Sequence, residues 1–253
     1  MQRHVLVTGA SRGLGRSFAL ALAERGDHVW LVSRDAVAME EVAESIRARG
    51  GKAEVVVLDV EDATTTVREI RSIDRSCGGL ELVIANAGVG APSPDAVPYA
   101  WETLEHAFTT NFVGAAATLT AVLPAMVARG RGHIVATGSL ASYGPLPGSS
   151  AYTAPKAGID MLLETLRLDL RGTGVAVTNL RLGFVRTGMT ARSRHPMPQM
   201  LEPADVARHV VAKLRSRPKE IVMPRTLGLG ARALGMLPRA MREALFGAIA
   251  RRG

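Results

Sequence analysis

Cysteine is almost missing from this chain of 253 residues, which contains only Cys77. One cysteine excludes an internal disulfide and a cysteine-rich metal site, so we expect a structural thiol and no bound metal. Aromatic residues make up only 4% of the chain, which is poor material for stacking on nucleic-acid bases. No uninterrupted apolar run approaches the ~20 residues of a membrane span, and no signal peptide precedes the first apolar strand. We therefore expect a cytoplasmic protein that binds no nucleic acid.

Two properties of the composition bear on size and partners. Hydrophobic residues make up 47% of the chain, which at this length predicts a single domain, 1–253, with a large core. The formal net charge of +8 favours an anionic partner, such as a phosphorylated cofactor, an acidic substrate, a membrane surface or nucleic acid. Charge alone does not choose among these four.

Short apolar runs alternate regularly with segments of helical length and spacing. The runs predict buried parallel strands at 4–8, 28–32, 53–58, 80–85, 133–137, 175–182 and 220–223. The other segments predict helices at 14–25, 36–49, 63–76, 100–129, 152–171 and 203–215, with glycine stops at 26, 50 and 172. This alternation predicts an α/β fold, a Rossmann-type doubly wound parallel sheet of about seven strands with helices on both faces. The longest irregular stretches, 89–99 and 183–200, follow strand ends and are candidate substrate walls.

A glycine-rich turn, Thr8-Gly-Ala-Ser-Arg-Gly-Leu-Gly15, connects the first strand to the first helix. Gly9 permits a tight turn, Gly13 lets backbone amides approach a pyrophosphate, and Gly15 allows close packing of helix against strand. The helix N-terminus then faces the phosphates, where its dipole favours negative charge. The turn predicts a dinucleotide site; the alternative is an ordinary strand-to-helix turn.

Tyr152 and Lys156 form the second pattern with chemical content. Positions i and i+4 share one face of a helix, so the ammonium of Lys156 can lie beside the phenol of Tyr152 and stabilise its phenolate. The phenol, whose pKa is ordinarily about 10, then exchanges a proton more easily with a carbonyl or alcohol oxygen. Together with the glycine turn, this pair indicates a nicotinamide-dependent oxidoreductase.

These motifs, in this order, resemble the short-chain dehydrogenase/reductase family over nearly the whole chain. The turn at 8–15 is similar to the family's TGxxxGxG turn, Asp59 to its adenine contact, and Asn86-Ala-Gly88 to its NAG segment. The catalytic four of the family are matched by Asn111, Ser139, Tyr152 and Lys156. The spacing also matches, because Tyr152 follows Ser139 by 13 residues and Lys156 follows Tyr152 by four.

The resemblance assigns a role to each of the four residues. It implies that Tyr152 donates or removes the substrate proton, that Ser139 hydrogen-bonds the substrate oxygen, and that Lys156 also binds the nicotinamide ribose. It implies that the backbone of Asn111 helps to hold a water for proton relay to Lys156. The alternatives are a turn serine beside Ser142 and a merely polar helix asparagine. By resemblance, the cofactor contacts are Gly9, Ser11, Arg12, Gly13, Leu14, Gly15, Arg34, Asp59, Val60, Asn86, Ala87, Gly88, Tyr152, Lys156, Val185 and Thr187.

The end of the second strand bears on which nicotinamide cofactor is used. NAD enzymes place a carboxylate there, about 20 residues beyond the glycine turn, against the ribose 2′-hydroxyl. This chain has Ser33-Arg34 instead, and Arg34 can pair with a 2′-phosphate that Arg12 approaches from the turn. NADP(H) is therefore favoured over NAD(H). The reservation is Asp35, which is equally well placed to cap the next helix; in the alternative, Arg12 and Arg34 are solvated surface arginines.

Two positions depart from the family pattern. Leu182 stands where the family usually has proline, so the turn that holds the nicotinamide carboxamide is expected to be looser, with Val185 and Thr187 still available. Pro155 removes a backbone donor directly before Lys156. Near the start of a helix this costs little, and Lys156 is expected to keep its direction.

The segment 224–253 is a basic, amphipathic extension within the single domain. Its apolar residues Leu234, Met236, Leu237, Met241, Leu245, Phe246 and Ile249 lie among Arg232, Arg239, Arg242, Arg251 and Arg252. Three placements are open: over the substrate cleft, at a subunit interface, or on an anionic membrane. We favour packing within the protein or an oligomer, because an apolar stripe at helical spacing is usually core. A partly apolar lid would suit a lipophilic substrate.

The leading hypothesis is an NADP(H)-dependent oxidoreductase that interconverts a carbonyl (ketone, aldehyde or 3-oxoacyl) and an alcohol by hydride transfer. Tyr152 is its acid and base. The alternative is a non-catalytic dinucleotide-binding sensor or scaffold that associates with a membrane or another anionic partner. The intact Ser139, Tyr152 and Lys156 favour the enzyme. By resemblance, a homodimer or homotetramer forms through the long helices at 100–129 and 152–171.

Overall fold

The computed structural model describes residues 2–90, 100–191 and 197–250, the last five by their backbone alone. The strands are β1 (His4–Thr8), β2 (His28–Ser33), β3 (Lys52–Val57), β4 (Leu82–Ala85), β5 (Gly132–Ser139), β6 (Val175–Leu182) and β7 (Glu220–Met223). The α-helices are α1 (Gly13–Ala23), α2 (Ala36–Arg47), α3 (Ala63–Ser76), α4 (Trp101–Phe108), α5 (Ala115–Arg129), α6 (Ser150–Asp169), α7 (Pro203–Lys213), α8 (Arg225–Gly235) and α9 (Arg239–Ala250). A 3₁₀ turn, Leu140–Tyr143, follows β5. Parts of both predicted substrate loops, 91–99 and 192–196, and the side chains of Phe246, Ile249, Arg251 and Arg252 lie outside the described residues.

All neighbouring strands pair in parallel, in the order β3-β2-β1-β4-β5-β6-β7. The predicted doubly wound sheet of seven strands is confirmed. The direction in which successive strands are added reverses between β1 and β4. The chain adds β2 and β3 on one side of β1 and then crosses to add β4 to β7 on the other side. In such sheets, ligands bind at this switch point, beyond the carboxyl ends of the strands.

Alternate residues of the strands face two separate cores. Val5 and Val7 of β1 pack with Phe18 among side chains of α1, α2 and α7 on one face of the sheet. Leu6 packs on the opposite face among side chains of α3, α5 and α6. Cys77 is free, half-buried and packed against this second core. Because both faces are covered, the strands carry near-continuous apolar runs rather than an alternating pattern.

The amino edge of the sheet, opposite the switch-point crevice, is held by two ion pairs. Arg3, just before β1, binds Asp27, just before β2, at 2.6 Å. Arg129 at the end of α5 binds Asp74 near the end of α3 at 2.8 Å. Both carboxylates are buried, so these pairs fasten helices and strands at the end of the molecule where no candidate site residue was predicted.

The predicted helix at 100–129 runs without a break from Trp101 to Arg129, but it is not α-helical throughout. Residues Thr109–Gly114, between α4 and α5, form a π-helical turn, in which the hydrogen bonds reach one residue further than in an α-helix. The predicted helix is therefore confirmed, and the π turn within it was not predictable because it adds a residue to the helix without changing its apolar composition. Such turns are frequent at functional sites, and this one contains Asn111.

Within the described residues, the stretch Trp101–Arg129 is long and apolar enough to cross a membrane. Its most apolar 18-residue window has a mean hydropathy of 1.6, and half of that window is buried in the protein. Leu119, Val122 and Met126 of α5 pack into the core beside α3. Packing within the fold therefore accounts for much of its apolar character.

Candidate active site

The glycine-rich turn lies at the carboxyl end of β1 and leads directly into α1. Gly9 and Gly13 have φ angles of +67° and +55°. Residues with a Cβ rarely adopt this left-handed backbone conformation. A Cβ on Gly15 would lie 2.1 Å from the carbonyl oxygen of Gly9, so the turn leaves no room for one. Arg12, at the N-cap position, makes no side-chain hydrogen bond to the first turn of α1. The first backbone amides of the helix therefore remain for an anionic ligand.

Thr8 ties this turn to the segment after β4. Its hydroxyl accepts hydrogen bonds from the backbone amides of Asn86 at 3.0 Å and Ala87 at 3.1 Å. The side chain of Asn86 donates to the carbonyl oxygen of Thr8 at 3.1 Å and accepts a bond from the Thr137 hydroxyl at 3.1 Å. The Asn86 side chain thus joins β1, β4 and β5 at the switch point.

Asn111 holds the next residues of the same segment. It is 1% exposed, and its side chain accepts from the amide of Val89 at 2.8 Å and donates to the carbonyl oxygen of Val89 at 3.0 Å. A Cβ on Gly88 would lie 2.9 Å from Asn111 Oδ1 and 3.8 Å from Lys156 Nζ. Asn111 therefore positions the backbone at 88–89, while the water that its own backbone would hold stays a prediction.

Ser139 and Tyr152 meet at the carboxyl end of β5. Ser139 ends the strand, accepts a hydrogen bond from the amide of Ala141 at 3.1 Å, and lies beside the phenol of Tyr152. Burial raises the pKa of that phenol above its ordinary value, and the interaction with the nearby Ser139 side chain opposes the rise. Tyr152 is consequently protonated at neutral pH, the state that can give a proton to a carbonyl oxygen.

Lys156 is directed into the same site. Its Nζ donates to the carbonyl oxygen of Thr137 at 2.7 Å and lies 5.8 Å from the centroid of the Tyr152 ring. Burial lowers the pKa of the ammonium to about 8, and the negative charge of Asp160 opposes that fall. Pro155 lies in the second turn of α6, and Lys156 keeps the expected direction. Its charge acts on the phenol across space, since its ammonium donates to the carbonyl oxygen of Thr137.

Arg181 is a site-supporting residue that sequence reasoning missed. It is buried near the end of β6 and donates to the carboxylate of Asp160 and, at 3.1 Å, to the hydroxyl of Ser142. Its guanidinium lies 4.5 Å from the centroid of the Tyr143 ring. These contacts fix the 3₁₀ turn that follows Ser139. The signal was available, because an arginine inside an otherwise apolar strand needs a buried partner.

Arg34 and Asp35 take different roles at the end of β2. Nη1 of Arg34 lies 3.4 Å from a carboxylate oxygen of Asp59 and 3.6 Å from one of Glu61, and the Arg34 side chain is 61% exposed. The carboxylate of Asp35 accepts from the amide of Ala38 at 3.0 Å and caps α2. The residue that could have bound a ribose 2′-hydroxyl is thus engaged elsewhere, and an exposed guanidinium stands beside it. The residues present fit a dinucleotide that carries a 2′-phosphate.

The other predicted cofactor contacts near the glycine turn differ in solvent exposure. The hydroxyl of Ser33 donates to that of Ser11 at 3.1 Å, which holds the end of β2 against the turn. Arg12 is exposed and Ser11 is half-buried. Leu14 and Val60 are buried, so a cofactor would meet them mainly through their backbones.

The segment after β6 folds back over the glycine turn. A Cβ on Gly13 would lie 3.2 Å from the methyl group of Thr187. The hydroxyl of Thr190 accepts from the amide of Thr187 at 3.0 Å and donates to the carbonyl oxygen of Val185 at 2.8 Å. The looser turn expected from Leu182 is tied down by these bonds. Every predicted site residue therefore lies at the carboxyl edge of the sheet or in an element that begins there.

Similarity to known proteins extends over the whole chain. A family profile described as short chain dehydrogenase matches residues 3–198. An uncharacterized oxidoreductase of Myxococcus xanthus is 43% identical over 250 residues, which cover 99% of this chain and 97% of that protein. The ketoacyl reductase HetN of a Nostoc species is 33% identical over 223 residues, covering 87% and 77%. The structure of a short-chain dehydrogenase from Sphingobium yanoikuyae in complex with NADPH matches with a TM-score of 0.79 and 28% identity, covering 98% of this chain and 94% of its own.

Proposed function

Because the chain belongs to the short-chain dehydrogenase/reductase family, whose members are nicotinamide-dependent oxidoreductases, we propose that it interconverts a carbonyl compound and an alcohol with NADP(H). The substrate is a small and lipophilic ketone, aldehyde or 3-oxoacyl compound. The observation that carries the proposal is the convergence of Ser139, Tyr152 and the buried Lys156, whose Nζ lies 5.8 Å from the centroid of the Tyr152 ring. When bound, the cofactor supplies or accepts the hydride.

Tyr152 holds the proton that the reaction moves. Burial keeps the phenol protonated, so in the reductive direction it gives its proton to the carbonyl oxygen. Ser139, beside the same phenol, holds the substrate oxygen within reach of it. Lys156 carries its charge below a pKa of about 8 and favours the phenolate that remains. In the oxidative direction that phenolate takes the proton of the alcohol.

The preference for NADP(H) rests on Arg34. Its contacts to Asp59 and Glu61 are exposed and longer than 3.3 Å, and such pairs contribute little to stability. A 2′-phosphate would offer the guanidinium a stronger, bidentate partner. The NADPH bound by the Sphingobium yanoikuyae relative supports the same choice.

The carbonyl class draws support from one named relative. The Nostoc protein that is 33% identical to this chain is called a ketoacyl reductase, which favours the 3-oxoacyl compounds among the candidates. A non-catalytic sensor or scaffold would leave the convergence of Ser139 and Tyr152, and the buried ammonium of Lys156 near them, without a role.

Exposed apolar side chains on α4 and α6 support an oligomer. Trp101 on α4 and Met161 and Leu168 on α6 expose 67%, 64% and 60% of their surface. Burying them between copies of the chain would form a homodimer or homotetramer in the cytoplasm. Light scattering on the purified protein measures the number of copies.

The test begins with titration of the purified protein by NADPH and by NADH, followed by fluorescence. Tight binding of NADPH, then NADPH consumption with members of a 3-oxoacyl, ketone and aldehyde panel, is the expected result. Tyr152→Phe is expected to bind NADPH unchanged and to lose about 10²–10⁴-fold in turnover. Binding of neither nucleotide would refute the cofactor assignment, and full turnover by the variant would refute the proton-transfer role.

A further inference from the structure

Helix α8 has an inner face that packs on the protein. A Cβ on Gly235 would lie 2.3 Å from the carbonyl oxygen of Tyr143, and one on Gly228 would lie 2.2 Å from Val222 Cγ1 and 3.5 Å from Leu140 Cδ2. The inner face therefore lies directly on the 3₁₀ turn that follows Ser139. This contact agrees with the expectation that the tail packs within the protein.

The opposite face of α8 has a different character. Arg225, Leu229, Arg232 and Met236 follow one another at intervals of four, three and four residues, which places them along one side of the helix. All four are exposed, and Leu229 and Met236 expose 69% and 74% of their surface. We call these four residues the outer stripe. It alternates a guanidinium with a large apolar side chain.

Helix α9 continues the same chemistry. Met241 and Leu245, four residues apart, expose 55% and 40% of their surface. Arg239 is exposed in the same helix and pairs with Glu243 at 2.7 Å. The two helices thus present large apolar side chains to solvent over the whole described part of the tail.

The charge of the tail limits what can cover this surface. Residues 224–253 contain six arginines and a single acidic residue, Glu243. Outside the tail, Glu220 approaches Arg232 only to 4.0 Å, so the outer stripe stays positive. A second copy of the stripe would set arginine against arginine, which disfavours pairing. An anionic bilayer is complementary to both the apolar and the cationic side chains of the stripe. The apolar side chains enter its interface while the guanidinium groups reach phosphate head groups.

We propose that α8 and α9 dock the protein on an anionic membrane surface through the outer stripe together with Met241 and Leu245. The proposal stands apart from the proposed reaction and can hold without it. Its consequence for the site is geometric: the inner face of α8 covers the turn after Ser139, and a helix with its side chains is about 10 Å across. Docking therefore brings the candidate active site to the bilayer interface, where a lipophilic carbonyl compound would dissolve.

Vesicle flotation with the full-length protein tests the proposal without any assay of activity. At low ionic strength the protein is expected to float with vesicles of phosphatidylcholine mixed with phosphatidylglycerol, and much less with phosphatidylcholine alone. Replacing both stripe arginines, Arg225→Gln with Arg232→Gln, is expected to lower the partition coefficient on the anionic vesicles about 25-fold, at about fivefold for each charge. Leu229→Gln with Met236→Gln is expected to reduce binding to both kinds of vesicle.

A matched control uses exposed residues elsewhere on the protein. Val37 on α2 is 74% exposed and Arg68 on α3 is 66% exposed at its side chain, so Val37→Gln with Arg68→Gln removes one apolar and one charged group of similar exposure. This variant is expected to float like the wild type. Thermal unfolding of every variant reports whether the fold is retained.

Three outcomes would overturn the proposal. Wild-type protein that stays with the soluble fraction at low salt does not dock on lipid. Stripe variants that keep their fold and float like the wild type show that another surface binds. If Leu229→Gln with Met236→Gln instead lowers the mass measured by light scattering and the wild type does not float, the stripe is an interface between copies of the chain.

Discussion

The side chain of Asn111 binds both backbone groups of Val89, with Oδ1 2.8 Å from the amide nitrogen and Nδ2 3.0 Å from the carbonyl oxygen. A π-helical turn thereby fixes the backbone that continues from Asn86–Gly88, the segment predicted to contact the cofactor. The pairing is specific to an amide side chain, which alone offers a donor and an acceptor side by side.

Asn111→Ala is expected to weaken both the fold and cofactor binding. Two backbone groups of Val89 lose their partners, at a cost of about 2 kcal/mol in the free energy of unfolding. The midpoint of thermal unfolding and the Kd for NADPH measure the two effects. Val113→Ala, a change at a 40% exposed position of the same turn, is the control. An Asn111 variant with wild-type stability and Kd would remove the positioning role.

Arg34→Ala is expected to reduce selectivity for NADPH. Loss of a charge-assisted bond to the 2′-phosphate raises the Kd for NADPH about 10–100-fold, whereas the Kd for NADH stays the same. Fluorescence titration with both nucleotides gives the ratio. Arg49→Ala removes a guanidinium of similar exposure at the opposite end of α2 and serves as the control. A ratio unchanged by Arg34→Ala would mean that the phosphate does not meet this residue.

The pH dependence of reduction is expected to follow the charge of Lys156. Its pKa is about 8, so kcat/KM for the carbonyl substrate is constant below that pH and falls above it as the ammonium is lost. The charge of Asp160 raises this pKa, so Asp160→Asn moves the alkaline limb to lower pH. Glu164→Gln, which alters a weaker contact to the same Arg181 at 3.5 Å, leaves the limb in place. A limb that Asp160→Asn does not move would contradict this coupling.

His133 is expected to make the fold sensitive to acid. It is 4% exposed, and burial, with the charges of Arg217 and Arg3, lowers the pKa of its imidazole from 6.5 to about 4. Between these values the unfolded chain binds a proton that the folded chain does not. The free energy of unfolding therefore falls as the pH drops from 6.5 to 4, by up to about 3 kcal/mol.

Denaturant unfolding at about pH 7 and about pH 4.5 measures this effect. His133→Gln keeps a polar group near the Thr178 hydroxyl, to which His133 Nε2 lies at 2.8 Å, and is expected to lose less stability between the two pH values than the wild type. The exposed His209, changed to Gln, is the control. Equal losses in the wild type and in His133→Gln would show that the imidazole is not the acid-sensitive group.

The strands were predictable because burial on both faces leaves a continuous apolar run. The bounds of β1, β6 and β7 agree with the prediction to the residue. Strand β4 begins at Leu82 rather than at residue 80. Leu80 is fully buried, but its amide donates to Asp74 at 2.7 Å instead of to a strand. Apolar character reports burial, and the partner of the backbone decides whether a buried residue belongs to the sheet.

The candidate site was predictable where its geometry is local and hidden where it depends on tertiary contacts. Tyr152 and Lys156 share a helix face by spacing alone. The bond of Lys156 to Thr137 requires α6 to pack on β5, and the pairing of Asp160 with Arg181 joins residues 21 positions apart. Neither contact leaves a trace in local periodicity. The same holds for α8, whose inner and outer faces became distinct only once its packing on the 3₁₀ turn was known.

The buried ion pairs and the candidate site residues lie at opposite ends of the strands. The ion pairs of Arg3 with Asp27 and of Arg129 with Asp74 hold the amino edge, whereas Ser139 marks the carboxyl edge. Substitutions in the connections that leave the carboxyl edge are therefore expected to change which carbonyl compounds are accepted while the amino edge maintains stability. This separation makes the connections at the carboxyl edge the segments to vary in directed evolution of the proposed carbonyl reduction, with the residues of the two ion pairs left unchanged.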